Sequence, residues 1–151
     1  LRGEAKDAFG AVLADAYLQR VAAVDGRPEP AKLDKERTKL GRAPLVVIVA
    51  AVHVDDQKIP WDDQVGATNA AAQNLLLAAT ALGYGSMWRT GDIVFDLHVK
   101  SAIGVSEHDA IVGFVYLGTP HEGGDKTPND PSLDGLLIEW PTAPSTPTSA
   151  G

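Results

Sequence analysis

Pro44-Leu45-Val46-Val47-Ile48-Val49-Ala50-Ala51-Val52 is a continuous apolar run, rich in β-branched residues, with no polar residue to mark an outward face. A strand with one wet face alternates apolar and polar residues; a strand without alternation has both faces covered. The run therefore predicts a central strand with helices on either side. Ala110-Ile111-Val112-Gly113-Phe114-Val115-Tyr116-Leu117-Gly118 reads the same way, and Gly85 to Arg89 is a shorter strand between them. Helices to cover these strands lie where the pattern requires them. From Glu4 to about Val24, Phe9, Val12, Leu13, Ala16, Tyr17 and Val21 recur at three- and four-residue steps, with Asp7, Asp15 and Arg20 off that face. Asp25-Gly26-Arg27-Pro28-Glu29-Pro30 stops this helix, because two prolines and a glycine cannot continue it. Ala31 to Gly41 is highly charged and predicts a short solvated helix, with Gly41 as its C-terminal cap. From about Trp61 to Leu82 an alanine-rich helix, apolar nearly all round, marks a core or interface element ended by Gly83. Phe95 to Ile103 is a further short helix, ended by Gly104. Helices alternating with buried strands indicate an α/β or α+β sandwich.

The composition narrows the function. A chain of 151 residues has room for one domain. Thirteen Lys and Arg against twenty Asp and Glu give a net charge of −7, which argues against binding a phosphate backbone, so no nucleic-acid partner is expected. There is no cysteine, which excludes disulfides, thiolate zinc sites and a cysteine nucleophile. The longest apolar stretch, Ala67 to Leu82, is broken by Thr68, Asn69, Gln73, Asn74 and Thr80, so no membrane span is expected. Leu1-Arg2-Gly3 carries no signal-peptide pattern, and a cytoplasmic location is the expectation. After Thr119-Pro120 the composition shifts: residues 121–135 are rich in Gly, Pro and Asp, and 141–151 in Pro, Ser and Thr. This divides the chain into a domain over 1–120 and an extended, partly disordered arm over 121–151. Within the arm, Leu136-Leu137-Ile138-Glu139-Trp140 could add as an edge strand to a sheet, in this chain or in a partner.

Few side chains offer chemistry of their own. His53, Asp55 and Asp56 follow a buried strand but have no third ligand at a metal-binding spacing, and no metal site is expected. His98, His108 and His121 have no acid at a fixed offset, while Asp62 and Asp63 suit the first turn of a helix. No catalytic acid, base or nucleophile stands out. The most informative segment is Gly83-Tyr84-Gly85-Ser86-Met87-Trp88-Arg89-Thr90-Gly91. Its Gly-x-Gly follows a helix and precedes a strand, the reverse of a dinucleotide-binding fingerprint. Gly83 and Gly85 permit a tight reversal and close backbone approach. Trp88, Arg89 and Thr90 then offer an aromatic face, a cation and a hydroxyl, a set suited either to a planar anionic ligand or to a packed strand end.

Several of these stretches together resemble the nitroreductase family of flavoproteins, in particular its small YdjA-like branch, over about residues 1 to 140. They are Arg42-Ala43-Pro44 before the first strand, Ala72-Gln73-Asn74-Leu75-Leu76 in the long helix, the Gly83–Gly91 turn, and Ile111 to Pro120. The resemblance implies an α+β three-layer sandwich, its central, mostly antiparallel sheet flanked by helices, and an obligate homodimer with FMN in clefts at the subunit interface. In such enzymes NAD(P)H reduces the flavin, which passes electrons to a nitroaromatic, quinone or related small-molecule acceptor, and the cofactor carries the chemistry. Residue by residue, Trp88, Arg89 and Thr90 match the turn that contacts FMN, and Ala78, Ala79, Thr80, Ala81, Leu82 and Gly83 match the NAD(P)-binding segment. The long helix would pack across the dimer, and Leu136 to Trp140 would match the arm that reaches the partner's sheet. One departure matters. Family members open on a helix with an Arg-Arg-Ser-like motif that holds the FMN phosphate, then a second helix and a first core strand. Leu1 to Glu4 corresponds to the end of that strand, so the family's N-terminal part is expected to be missing and flavin to bind weakly to a chain starting at Leu1. A flavin-binding or flavin-sequestering homodimer without turnover would share every motif named here.

Overall fold

The computed structural model describes residues 1–55, 58–121, 132–138 and 140. Residues Leu1–Pro120 form one compact unit and His121–Gly151 a second. In the first unit the order is α1 (Glu4–Ala22), α2 (Pro30–Thr38), a 3-10 turn (Lys39–Arg42), β1 (Leu45–Ala51), α3 (Trp61–Ala81), β2 (Gly85–Arg89), a 3-10 turn (Asp92–Val94), α4 (Leu97–Ala102) and β3 (Ala110–Gly118). The three strands form an antiparallel sheet in the order β1-β3-β2. Phe9, Leu13 and Ala16 of α1, Leu40, Ile93 and Val94 of the two 3-10 turns, and Val99 of α4 cover one face through Val46, Ile111, Phe114 and Tyr116. Ala72, Trp61 and Val65 of α3 cover the other through Ala51, Val112 and Trp88. The expected three-layer α+β sandwich is thus present.

The central strand is β3, not β1. The apolar run at 45–51 has its even residues Val46, Ile48 and Ala50 in the α1 layer and Val49 and Ala51 in the α3 layer. Absence of alternation reports two covered faces, and an edge strand under two helical layers meets that condition as well as a central one. On its open side β1 is met by Leu1, whose amino group donates to the Val46 carbonyl while the Val46 amide donates to the Leu1 carbonyl at 3.0 Å. A reciprocal pair of this kind is a rung of an antiparallel ladder.

One irregularity sorts the side chains of β3. Val49 pairs with Gly113 and Ala50 with Ile111, so Val112 is a bulge with no partner in β1. The extra residue reverses the phase: Tyr116 and Phe114 face α1, yet so does Ile111, while Val112 and Ala110 face α3.

The helix ends follow local chemistry. Gly83 (φ +81°) and Gly104 (φ +72°) take the left-handed position after α3 and α4, each closed by a backbone pair, Tyr84 N–H to Ala79 O and Val105 N–H to Lys100 O. At the end of α1 that position is filled by Asp25 (φ +50°), not by Gly26. Gly41 lies inside the 3-10 turn rather than capping α2. In α4, Asp96 caps the N-terminus through the amides of His98 and Val99, and Arg20 of α1 pairs with the same carboxylate. Among the described residues no helix is long and apolar enough to cross a membrane.

In the second unit, Leu133 to Leu136 close a turn through Leu136 N–H to Leu133 O. Leu136, Leu137 and Ile138 are exposed and form no strand in this chain, and Glu139 lies outside the described residues.

Candidate active site

Two neighbourhoods receive the residues singled out by the sequence. The first is a cavity of about 450 Å³ between the C-terminal end of α3 and the sheet. Pro44, Leu45, Leu75, Leu82, Tyr84 and Leu117 give it an apolar lining, and Ala78 and Ala79 belong to the same wall. Of the six residues 78–83, Ala78, Ala79 and Leu82 face this space, while Thr80, Ala81 and Gly83 do not. The Thr80 hydroxyl donates within α3 to the Leu76 carbonyl at 3.1 Å. Its volume suits a small ring system, and no charged side chain lines it.

The second neighbourhood is the end of β2. The pleat sends Trp88 to the α3 side, where it joins Ala72 and Val112, and sends Arg89 to the opposite side, paired with Phe114. Arg89 and Thr90 are exposed, and Gly91 (φ +118°) turns the chain in a conformation that favours glycine. Tyr116 is the polar group of this corner. Burial, and to a lesser degree the negative charge of Glu36, pushes its phenol above the ordinary value, while the positive charges of Arg42 and Arg89 pull it down. Arg42, which ends the turn before β1, is therefore a second cation at this corner that no motif had marked as functional; only its place beside Ala43-Pro44 could have drawn attention to it. The Trp88 indole is tied at its edge: its N–H donates to the Val112 carbonyl at 3.0 Å. Gly85 has ordinary contacts only, so the reversal before β2 rests on Gly83.

His53 and Asp109 belong to a knot at the other end of the sheet. The Asp109 carboxylate accepts from the amides of His53 (2.8 Å) and Ser106 (2.8 Å), and the buried Lys100 ammonium donates to the carbonyls of Glu107 and Asp109. Gln64 ties the following loop through Val54 and Ile59. His53 meets Trp61 edge-on at 5.2 Å. Asp56 lies outside the described residues, and among the described residues no three His, Asp or Glu side chains are grouped to hold a metal.

The two amides hold the Asp109 carboxyl below the usual carboxylate range, the His53 bond contributing most. A carboxylate whose folded value is depressed stabilises the fold at all pH above its unfolded value, about 4, and loses that contribution as pH falls through the folded value. Asp109→Asn should therefore flatten the acid limb of stability. Thermal midpoints recorded from about pH 6 to pH 2 should converge for wild type and variant at the acid end. Parallel curves would refute the assignment.

The sequence model of the Nitroreductase family matches residues 2–119. YdjA of Escherichia coli (strain K12), provisionally named an NAD(P)H nitroreductase, is 37% identical over 121 residues, covering 80% of this chain and 62% of that protein. The chain thus spans less than two thirds of that relative's length. The crystal structure of a nitroreductase-like family protein from Bacillus cereus matches with a TM-score of 0.67 at 21% identity, over 93% of this chain and 70% of that one. A nitroreductase from Bacteroides fragilis, crystallised with bound FMN, matches with a TM-score of 0.51 at 24% identity, over 86% of this chain and 71% of that one. At such identities the structural matches bear on the fold.

Proposed function

The chain belongs to the nitroreductase family, and from that premise we propose that it serves an FMN-dependent oxidoreductase that carries electrons from NAD(P)H to nitroaromatic, quinone or related acceptors. The observation that carries this reading is the basic corner at the end of β2. Arg89 and Arg42 both act on Tyr116, within a chain whose net charge is −7. The Arg42 and Arg89 charges, felt by Tyr116 together with the Glu36 carboxylate, and the exposed Thr90 next to Arg89 in the chain would offer donors to a phosphate or to the electron-rich edge of a flavin. FMN would supply the two-electron chemistry, accepting hydride from the nicotinamide and passing electrons to the acceptor. The protein's part is to bind and orient. Arg89 and Arg42 would balance the cofactor's negative charge, and Thr90 would donate a hydrogen bond. Ala78, Ala79 and Leu82 would border the apolar space offered to a nicotinamide or acceptor ring, with Thr80, Ala81 and Gly83 supporting that wall from behind. The exposed face of α3, which includes Ala67, Ala70, Asn74 and Leu77, would pack against a second copy in a homodimer. The domain is taken as 1–120 and the arm as 121–151, and the enzyme is read as cytoplasmic.

Titration of the purified chain with FMN and with riboflavin tests this. Arg89→Ala should weaken FMN at least about tenfold, the loss of one charge-assisted bond, and riboflavin far less. Equal losses for both ligands would remove the arginine from the phosphate. NADH and NADPH are then added anaerobically. Bleaching of the flavin band supports the enzyme, whereas bound flavin that neither nicotinamide reduces supports a sequestering protein. Because weak binding is expected without the family's N-terminal basic motif, the titration is carried to high FMN concentration, and a chain that takes up no flavin even there would sink both readings.

A further inference from the structure

Trp88 stands apart from its two neighbours in the Trp88-Arg89-Thr90 turn. The β2–β3 ladder ends at the pair Arg89 with Phe114, and the next residues of β3 are Gly113 and the bulged Val112. No further rung joins β2 to β3 there. The indole takes over that role: its N–H donates to the carbonyl of the bulged residue, and its ring lies over Gly113. A Cβ on Gly113 would collide with Nε1 and Cδ1 of Trp88, so the absence of a side chain at 113 is what admits the ring. Bulge, glycine and indole together form a lock at the last ordered rung of β2. Beyond the lock the chain passes directly into exposed Thr90 and the Gly91 turn.

We propose that Trp88 is a positioning residue for flavin binding: seated on Gly113 and bonded to Val112, it fixes the end of β2 so that Arg89 emerges on the opposite face, and its own ring does not touch the flavin. The inference rests on the flavin reading above. It assigns the aromatic member of the motif to the scaffold and leaves the cofactor to Arg89, Thr90 and Arg42.

The test is a double-mutant cycle on the purified chain, read by titration with FMN and riboflavin. Trp88→Phe keeps a ring for the Gly113 seat but loses the N–H. It should weaken FMN about fivefold, the worth of one hydrogen bond, and leave riboflavin nearly unchanged. In an Arg89→Ala background the same substitution should cost nothing further, because Trp88 acts only through Arg89. Full additivity in the double variant, or equal weakening of both ligands, would mean that the ring itself meets the flavin and would overturn the proposal. Should Trp88→Phe fail to fold, nuclear magnetic resonance of the wild-type chain decides. The Trp88 indole proton should exchange slowly before any ligand is added and keep its chemical shift when FMN is saturating. Rapid exchange in the free chain would refute the lock, and a large ring-current shift on FMN addition would refute the separation of ring and cofactor. A wild-type chain that never binds FMN, with the indole proton still protected, would sink the flavin reading and the positioning role while leaving the lock itself standing.

Discussion

Phe114→Ala should lower the unfolding free energy by about 3–5 kcal/mol, the cost of truncating a fully buried phenylalanine. Phe114 is wholly inaccessible and sits at the middle of the central strand. It faces Ile48 of β1 across the ladder and stands 6.4 Å, ring to ring, from Phe9 of α1. Truncation opens a void that neither a strand held by two ladders nor a helix packed along its length can collapse to fill. A typical domain is stable by only 5–15 kcal/mol, so the variant would lose a large share of that margin. The thermal midpoint should fall by about 10 °C. Phe114→Leu, which keeps most of the volume, should cost far less, on the order of 1 kcal/mol. Equal losses for the two variants would show that the ring's shape, not the cavity, sets the cost. A loss below about 1 kcal/mol for alanine would mean that this core is not packed as described.

Gly10→Ala is expected to be the second most damaging change. On helix propensity alone, alanine within α1 would gain close to 1 kcal/mol over glycine. Here α2 crosses so closely that an added Cβ would fall on the backbone carbonyl of Arg37. A side chain can rotate away from a methyl; a carbonyl inside a neighbouring helix cannot. Strain of about 1–3 kcal/mol, enlarged by displacement of α2, outweighs the propensity gain. Gly66→Ala in α3 is the control, since an added Cβ there meets nothing within 4 Å. Denaturant unfolding should show Gly10→Ala destabilised and Gly66→Ala stabilised by about 0.5–1 kcal/mol. Two variants moving in the same direction would contradict the close crossing.

Much of the fold was legible in the sequence because it is written in periodicity. Phe9, Leu13, Ala16 and Tyr17 are all buried on α1, as their spacing demands, and β3 occupies the full Ala110–Gly118 run. Strand order was not legible, because an apolar run records what covers a strand and not which strands flank it. The bulge was also hidden: Val112 looks like any other β-branched residue, and its displacement depends on the partner register with β1. In the candidate site, the glycine turn and the strand that follows were readable, since Gly83 obeys a local conformational rule. The division of labour within Trp88-Arg89-Thr90 was not. It depends on which side chain the pleat sends to α3, and on a glycine 25 residues further along the chain. Arg42 escaped notice for a similar reason, since its charge reaches Tyr116 only once β1 and β3 are paired.

The knot around Lys100 has a consequence for how this structure comes apart. The ammonium of Lys100 clasps two carbonyls of the segment before β3, and the Asp109 carboxylate at the end of that segment holds the amide of His53, two residues past β1. Fraying at the end of β1 gives up the His53 bond to Asp109, and fraying at the start of β3 gives up that same bond and also strands the buried Lys100 ammonium. Two loops that are distant in sequence are therefore coupled through one residue, Asp109, and the start of β3 is the more costly of the two to open.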